Sequence, residues 1–282
     1  MTAAAFAYFK PRAELDGLVA FIYVLEVGDA PFVGDLCALL GQIQIGLNGP
    51  AAYDFGEGDI TAPTLSLIGP TDIAGKLKAP RNFRAIGCGL TPTGWSRLAP
   101  VSAGLVANRL TPLQVVVGDD GARLAARCEV APDDAGMAAV LDAFLAARLA
   151  AAPPADPRIV AIDAWVIAGD GWDVDALAVS LGLSRRSLER LTARTHGSTP
   201  KRLAAKYRTL QAAGRMVVGE VTDWRDAAAL GGFVDQPHFI REFRRYVGAT
   251  PGAFMADPSN FAHRLIRGQW EPGRQLGIAI WA

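Results

Sequence analysis

Histidine and cysteine are scarce in this sequence, and their positions exclude several kinds of site. The chain has three histidines, His196, His238 and His263, and none falls in the first 195 residues. A histidine-based metal site in the N-terminal part is therefore excluded, because such a site needs imidazole ligands. The three cysteines lie at positions 37, 88 and 128, too few and too far apart for a disulfide framework or for the close pairs of a zinc site. We expect reduced thiols in a cytoplasmic protein.

The sequence also lacks long apolar runs and the common catalytic motifs. No apolar run approaches the roughly 18 residues of a membrane span, and no charged start is followed by an apolar core. G-x-S-x-G, G-x-G-x-x-G and phosphate-binding loop patterns do not occur. Glu57 and Asp59 could form a carboxylate pair, but their setting, F-G-E-G-D, is typical of a solvated loop. We expect no membrane contact, no metal, no cofactor and no enzymatic activity.

The sequence is long enough for two domains, and its charge is unevenly distributed. The 282 residues carry 28 basic and 28 acidic side chains, and 51% are hydrophobic, which is ordinary for a globular protein. Residues 1–155 hold 11 basic and 15 acidic residues, a net charge of −4; residues 156–282 hold the other 17 and 13, a net charge of +4. From position 184 to 208, eight basic residues accompany one acid, Glu189. Such a stripe is the electrostatic footprint of a nucleic-acid partner.

The first 130 residues show the pattern of short β-strands. The alternation Q-I-Q-I at residues 42–45 is typical of a half-buried strand. Apolar runs bounded by Gly, Pro, Asn and Asp occur at residues 18–27, 43–47, 64–68, 84–90 and 113–117. Many short strands at this spacing predict a sandwich or barrel.

A predicted helix and a proline-rich linker follow the β-rich part. Residues 135–152 carry an apolar stripe at helical spacing, formed by Met137, Val140, Leu141, Phe144, Leu145 and Leu149. The stripe indicates burial but not the partner, so packing on the β domain and pairing with a second chain both stay open. The run A-A-P-P-A-D-P at residues 151–157 predicts a semi-rigid linker and a domain boundary.

Residues 173–200 predict two helices joined by a tight turn, which is a helix-turn-helix. Asp173 is a good N-cap, and Ser184 can cap the second helix. Gly197 ends that helix, and Pro200 starts another. The arginines of the second helix lie mostly opposite its apolar face: Arg185, Arg186, Arg190 and Arg194.

A second copy of this unit follows about fifty residues later. Ala228 and Gly232 repeat the spacing of Ala178 and Gly182, which we interpret as a face of small residues where another helix approaches closely. The closing G-S-T-P of the first unit returns as G-A-T-P in the second. A fixed-period repeat is more specific than either copy alone. The alternative is a helical hairpin duplicated only for packing, which the arginines on the exposed faces disfavour.

With both copies in view, residues 158–257 resemble the DNA-binding domain of AraC-family transcription regulators. In that family one long helix, here residues 200–218, joins two helix-turn-helix units. The family's second-unit pattern is G-F-x-D-x-x-H-F-x-R-x-F followed by G-x-x-P. It is filled here by Gly232, Phe233, Asp235, His238, Phe239, Arg241, Phe243, Gly248 and Pro251. On fewer signatures, the Gly/Pro-rich residues 67–71 and 87–94, the N-terminal part resembles the family's cupin-like sensor domain.

The resemblance implies which side chains contact DNA. The base-contacting positions of the first unit are filled by Arg186, Glu189 and Arg190, with Arg185 beside them. Those of the second unit are filled by Gln236, Pro237, His238 and Arg241. Arginine suits bidentate contact to guanine, and Glu189 could accept a hydrogen bond from cytosine, whereas Pro237 cannot bond to a base edge. We interpret four other basic residues as phosphate contacts or solvated surface and not as base contacts: Lys201, Arg202, Lys206 and Arg208.

Candidates for a ligand pocket in the N-terminal part are aromatic residues on or near its strands. They are Phe21, Tyr23, Tyr53, Phe55 and Trp95. Buried aromatics are normal in β cores, so packing is the competing interpretation for each of them.

These observations together predict an α+β multidomain protein. Residues 1–150 form a β-rich, cupin-like sensor or dimerisation domain with a C-terminal helix, residues 151–157 a linker, and residues 158–257 an all-α double helix-turn-helix domain. Residues 258–282 form a tail with a turn at E-P-G, 271–273, whose apolar end could add a strand to the N-terminal domain or pack on the helices.

The predicted function is a sequence-specific DNA-binding transcription regulator. Its implied partners are double-stranded DNA, a small-molecule effector of unidentified chemistry and RNA polymerase, and a homodimer stays open because the family often places a dimerisation helix where residues 135–152 lie. The alternative is a DNA-binding module fused to a non-sensing effector or enzyme domain.

Overall fold

The N-terminal part of the chain is a sandwich of two antiparallel sheets. The computed structural model describes residues 4–169, 171–233 and 235–276. Within these ranges the strands are β1 Ala4–Phe9, β2 Val19–Val27, β3 Phe32–Leu36, β4 Gly41–Gly46, β5 Ala52–Asp54, β6 Asp59–Thr61, β7 Leu65–Ile68, β8 Gly75–Ala79, β9 Arg84–Leu90 and β10 Leu110–Pro112. The larger sheet has the order β1-β2-β9-β4-β7-β10 and the smaller sheet the order β3-β8-β5-β6. The predicted β-rich fold class is confirmed.

Two glycines of β9 make room for aromatic side chains between the sheets. Tyr23 on β2 pairs with Gly87, and Phe21 pairs with Gly89. An added Cβ at Gly87 would lie 2.6 Å from the Tyr23 ring, and one at Gly89 would lie 2.6 Å from the Phe21 ring. Each ring therefore occupies the space that the missing side chain on the neighbouring strand leaves.

Strand β4 is buried on both faces, which differs from the half-buried strand that its alternation predicts. Gln42 and Gln44 are 6% and 4% exposed and point between the sheets. The Tyr23 hydroxyl donates to Gln42 Oε1 at 2.9 Å, Gln44 Nε2 donates to the Tyr23 hydroxyl at 2.9 Å, and the Tyr53 hydroxyl donates to Gln44 Oε1 at 2.7 Å. The polar face is therefore internal because its amides have tyrosine partners there.

Helices cover the outer face of the larger sheet. In the described residues they are α1 Pro92–Leu98, α2 Ala103–Val106, α3 Gln114–Val117, α4 Asp120–Glu129 and α5 Asp134–Ala151. Their apolar residues form a second core with the outward side chains of β2 and β4, among them Ile22, Val24 and Ile43. Alternate residues of these strands thus serve two separate cores.

Helix α5 matches the helix predicted at residues 135–152. Met137, Leu141 and Leu145 are buried in the second core, so these three side chains pack on the chain's own sheet. Val140, Phe144 and Leu149, the other half of the stripe, pack at its margin and are partly buried. Pairing of α5 with a second chain stays a prediction.

The strand predicted at residues 113–117 is wrong. The structure has the short strand β10, which pairs with β7, and then α3. Leu113 and Val117 are buried, at 0% and 6% exposure, whereas Val115 is 67% exposed. Inward positions four residues apart fit one face of a helix, and a short apolar run does not distinguish the two structures.

The C-terminal part is helical throughout its described elements. They are α6 Pro157–Ala168, α7 Val174–Ser180, α8 Arg185–His196, α9 Pro200–Val217, α10 Trp224–Leu230, α11 Gln236–Val247, α12 Pro251–Ala256 and α13 Phe261–Leu276. The long helix α9 is central, with Leu203, Leu210 and Ala213 buried. The two predicted helix-turn-helix units are present as α7–α8 and α10–α11, their linking helix is present as α9, and α6 precedes them.

Helix α13 replaces the turn predicted at E-P-G, residues 271–273. Phe261, Leu265, Ile266 and Trp270 are buried, and they recur at helical spacing. They pack on β1, β3 and α9, so burial against these three elements outweighs the local turn propensity of this tripeptide. The apolar residues 277–282, for which a strand was one alternative, lie outside the described residues.

The hydrogen-bond chain between the sheets is expected to be cooperative. Replacing Gln44 with Leu should lower the free energy of unfolding by about 1–3 kcal/mol, because the buried hydroxyl of Tyr53 loses its acceptor. Adding Tyr53→Phe removes that hydroxyl, so the double variant should lose less stability than the sum of the two single variants. Urea unfolding of the four proteins measures this coupling, and strict additivity would contradict it.

Candidate nucleic-acid interface

The two helix-turn-helix units share the same turn between their helices. In the first unit Leu183 N donates to Ala178 O at 2.9 Å, and in the second Phe233 N donates to Ala228 O at 3.1 Å. The glycine before each has a positive φ, +62° at position 182 and +66° at position 232, with nothing within 4 Å of an added Cβ. The repeated spacing therefore reflects a left-handed helix end, and the interpretation of these glycines as a close helix approach is wrong.

Capping side chains set the start of both recognition helices, α8 and α11. Ser184 accepts from Ser187 N at the start of α8, and Asp235 accepts from His238 N at the start of α11. Both helices end at a glycine in the left-handed conformation, Gly197 and Gly248. The sequence predicted Ser184 as the cap and Gly197 as the end of α8, because capping depends on residues only a few positions apart.

Helix α8 presents the predicted base-contacting residues to solvent. Arg185, Arg186, Glu189 and Arg190 are exposed, whereas Leu188 and Leu191 are buried beneath them. Arg185 lies 3.4 Å from Asp175 Oδ1 and 3.8 Å from Glu189 Oε1. Exposed ion pairs of this kind are weak, so they leave Arg185 available to a stronger anion such as a phosphate.

Helix α11 is less open. Gln236, Pro237 and Arg241 are exposed. His238 is only partly exposed, because its ring packs against Phe233 at a centroid distance of 5.8 Å and its Nε2 lies 3.8 Å from Glu242 Oε1. Of the three predicted contacts in the second unit, Gln236, His238 and Arg241, the His238 side chain is therefore the one already engaged within the protein.

The C-terminal ends of both recognition helices dock on the N-terminal part. At the end of α11, Ala38 N donates to Tyr246 O and Ala74 N donates to Arg245 O, both at 2.6 Å. At the end of α8, an added Cβ at Gly104 on α2 would lie 2.6 Å from Ala193 O, so the backbones are in close contact. The N-terminal halves are left free, and these are the halves that enter a DNA groove in helix-turn-helix proteins.

Asp72 joins the second unit to the β-sandwich, and the sequence analysis missed it. Its Oδ2 lies 3.2 Å from both Arg202 and Arg245, and its backbone carbonyl accepts from Arg245 Nε at 3.1 Å. Asn108 Nδ2 donates to Asp72 Oδ1 at 2.8 Å. Arg202, a predicted phosphate contact, is thus tethered to Asp72 although its side chain is 58% exposed. No local pattern marks such an aspartate, because its partners are distant in sequence.

The prediction that Lys206 contacts a DNA phosphate is wrong for this arrangement. Lys206 is 4% exposed, and its Nζ donates to Leu39 O and Thr71 O, each at 2.7 Å. Burial lowers the pKa of Lys206 to about 8. The ammonium group therefore bonds two loops of the β-sandwich to α9 and does not reach solvent.

The remaining basic residues of α9 divide between solvent and the protein interior. Lys201 is exposed on the first turn of α9 and stays a candidate phosphate contact. Arg208 packs over the ring of Phe233, with its guanidinium carbon 4.7 Å from the ring centroid, and also lies against Trp172. Burial lowers the pKa of the Arg208 guanidinium, so its role is packing more than phosphate contact.

A second buried contact joins α8 to α1 through α6. The Asp163 carboxylate accepts from Thr93 Oγ1 at 2.6 Å and from Thr93 N at 2.9 Å, and its other oxygen lies 2.9 Å from His196 Nε2. His196 and Asp163 are 2% and 11% exposed at their side chains. This contact fixes the C-terminal end of α8 against the N-terminal part.

The structure brings together only some of the candidate ligand residues. Phe21, Tyr23 and Tyr53 line a cavity of about 20 Å³ between the sheets. Phe55 is buried beside them and stacks on Tyr53 with a centroid distance of 5.9 Å. Trp95 lies in the second core, on the other face of the larger sheet, so its grouping with the other four is wrong. Trp95 lies on α1, after β9, and the alternation of side chains along a strand does not predict on which face of the sheet a later residue will pack.

Two further observations concern other kinds of site. In the part of the chain that the structure describes, no group of three or more His, Cys, Asp or Glu side chains lies close enough together to hold a metal ion. None of the described helices is long and apolar enough to span a bilayer.

Comparisons with known proteins match the C-terminal part. Residues 177–257 match a family described as a helix-turn-helix domain. GbdR, a helix-turn-helix transcriptional regulator from Pseudomonas aeruginosa, is 36% identical over 80 residues, which cover 28% of this chain and 21% of GbdR. The chain thus matches about a fifth of that relative's length. The resemblance of this domain to the AraC type is confirmed.

Solved structures resemble the chain more broadly but weakly. ToxT from Vibrio cholerae O395 is 11% identical with a TM-score of 0.46, covering 91% of this chain and 98% of ToxT. The AraC-like transcriptional activator CuxR is 11% identical with a TM-score of 0.31, covering 76% of this chain and 88% of CuxR.

Base contacts and phosphate contacts are expected to respond differently to substitution. Arg186→Ala or Arg190→Ala should weaken binding to the preferred DNA site by about 1–3 kcal/mol and relax the preference at one or two base pairs, because a bidentate contact is lost. Lys201→Ala, the matched control, should weaken specific and random DNA by the same factor. Fluorescence anisotropy with both DNAs measures these affinities. If Arg186→Ala and Arg190→Ala weaken binding to specific and random DNA by the same factor, as Lys201→Ala does, the assignment is contradicted.

The docking of α9 is expected to depend on pH through Lys206. An undocked, solvated Lys206 keeps its proton up to its ordinary pKa of 10.5, whereas the docked residue releases it above about 8. The docked state binds fewer protons in that window, so its stability should rise with pH between about 8 and 10.5. Thermal unfolding of the wild type compared with Lys206→Met over this range tests it, and a constant difference between the two would refute it.

Proposed function

We propose that this chain, whose residues 177–257 form an AraC-type helix-turn-helix domain, is a sequence-specific DNA-binding regulator of transcription. The observation that supports this most is that the N-terminal halves of α8 and α11 are exposed while their C-terminal halves are anchored. An anchored helix with a free, basic N-terminal half suits insertion into the major groove. A protein that binds chromosomal DNA acts in the cytoplasm, where a bacterial chromosome lies. RNA polymerase is the further partner that regulation of transcription would require.

The two recognition helices enter successive major grooves on one face of the DNA. Helix α9 has 18 residues, so it is about 27 Å long, close to the roughly 34 Å of one DNA turn. One unit lies at each end of α9 along the chain. Arg186 and Arg190 bond guanine edges, and Glu189 accepts from cytosine.

The second unit contributes fewer base contacts. Pro237 has no donor for a base edge, and the His238 ring is held by Phe233 and Glu242. Gln236 and Arg241 are therefore its contacting side chains. Lys201 contacts phosphate, which sets the position of the protein along the duplex without selecting a sequence.

Residues 1–150 modulate DNA binding through a small molecule. The sandwich holds both recognition helices at their C-terminal ends, and its core is continuous with the core around α9. Suppose that these contacts have two arrangements and that the ligand binds one of them more tightly. The change in DNA affinity is then limited by the difference between the ligand's affinities for the two arrangements. Residues 151–157 link the two parts, residues 158–257 bind DNA, and helix α13 after them packs on both.

Footprinting on a selected site is expected to show two protected major grooves about 10 base pairs apart on one face. Arg186→Ala should remove protection from one groove, and Arg241→Ala from the other, because each residue lies on a different recognition helix. Protection of guanine N7, a major-groove atom, from dimethyl sulfate methylation measures this for the full chain and both variants. Loss of the same half-site by both variants would exclude the two-groove arrangement.

A further inference from the structure

Helix α13 closes the interior of the β-sandwich. The cavity of about 20 Å³ between the sheets has Leu265 and Gln269 of α13 in its wall. Among the described residues of that wall, these two are the ones that come from outside the sandwich. A volume of this size holds about one water molecule. A larger molecule in the interior therefore requires wall side chains to move, and Leu265 and Gln269 are the ones carried by a separate helix.

Aromatic and polar contacts hold α13 on the sandwich. The ring of Phe261 stacks on Phe6 with a centroid distance of 5.3 Å and meets the edge of Phe32 at 4.8 Å. The guanidinium of Arg264 donates to Ala4 O at 2.6 Å. These contacts lie on β1 and β3, at the rim of the cavity that Leu265 and Gln269 cover.

The same helix is bound to α9. An added Cβ at Gly214 would lie 2.0 Å from the Trp270 ring, so Trp270 packs directly on the α9 backbone. The guanidinium of Arg267 donates to Val217 O, at the end of α9, at 2.5 Å. Helix α13 thus contacts the sandwich interior on one side and the helix that carries both DNA-binding units on the other.

The cavity wall is mostly apolar, and the polar groups in it are uncharged. Its hydrogen-bonding groups are the side-chain amides of Gln42, Gln44 and Gln269 and the hydroxyls of Tyr8, Tyr23 and Tyr53. None of its described residues is Asp, Glu, Lys, Arg or His. Burial raises the pKa of Tyr8, Tyr23 and Tyr53, which keeps their hydroxyls protonated. An ion placed here would lose its hydration without gaining a counter-charge.

We propose that α13 is a displaceable lid over a binding site for a small uncharged molecule that has a hydrogen-bonding group and an apolar ring or chain. The ligand bonds the amides of Gln42 and Gln44 and takes the space of Leu265 and Gln269. Because α13 also packs on α9, its withdrawal loosens the contacts of Trp270 and Arg267 and repositions the helix that joins the two DNA-binding units. This proposal rests on the proposed function for its DNA consequence, but not for ligand binding.

The test uses the full chain and three probes of one size and different charge: benzamide, benzoate and benzylamine, which is cationic at pH 7.5. Leu265→Ala enlarges the interior, and the matched control is Ile266→Ala, a neighbouring buried residue of α13 whose side chain is not in the cavity wall. Calorimetry should show benzamide binding at least about tenfold tighter to Leu265→Ala than to Ile266→Ala. Benzoate and benzylamine should bind at least tenfold more weakly than benzamide.

Hydrogen exchange on the wild type serves as the second measurement and does not depend on a variant that folds. Saturating benzamide should speed the exchange of residues 261–270 and change affinity for a selected DNA site at least about fivefold. Benzoate binding as tight as benzamide would overturn the ligand class, and equal gains in both variants or unchanged exchange would overturn the lid. If benzamide binds nothing while the wild type binds its DNA site specifically, this inference fails and the proposed function stands. If no specific DNA binding is found, the proposed function fails independently.

Discussion

The position of α9 against the β-sandwich depends on one buried ammonium group. Lys206 Nζ donates to carbonyls of two different loops, at Leu39 and Thr71. Those loops are themselves bonded, since Leu39 N donates to Thr71 Oγ1 at 2.7 Å and Thr71 N donates to Leu39 O at 3.1 Å. A buried cation that slid along the helix axis would lose both acceptors, so the pairing favours one register of α9. Both DNA-binding units inherit that register because α9 joins them.

The docked surface and the DNA-facing surface of each recognition helix are opposite ends of one rigid element. Asp72 and the carbonyl of Tyr246 are on the docked side of the second unit, and Asp163 with His196 is on that of the first. These contacts connect the N-terminal part directly to the helices whose other ends are exposed. Coupling between the two parts requires only that the docked contacts have two arrangements of different energy.

Local signals were predicted well and long-range ones were not. The caps at Asp173 and Ser184 bond within their own first turns, so sequence alone locates these helices. Lys206 lies three residues after Leu203 and four before Leu210, on the buried face of α9. That spacing indicated that Lys206 is buried, but the charge of the lysine favoured a prediction of solvent exposure.

Other features had no local signal. The partners of Asp72, including Arg245, are distant in sequence, so nothing near it marks its role. The lid formed by α13 depends on the shape of a cavity between strands that are themselves distant along the chain. The faces of β4 were misassigned because two tyrosines from other strands make the interior polar enough for glutamine.

Gly87 and Gly89 have a consequence for how the interior of this protein can change. Their missing side chains fix where the rings of Phe21 and Tyr23 lie, so β9 tolerates little variation on that face. Strand β2, in contrast, has side chains on both faces: Tyr23 faces the interior, while Ile22 and Val24 face the helices. Substitutions at the inward positions of β2 can reshape the cavity without touching the helical core. Ligand preference and the stability of the outer layer can therefore diverge by separate mutations within one strand.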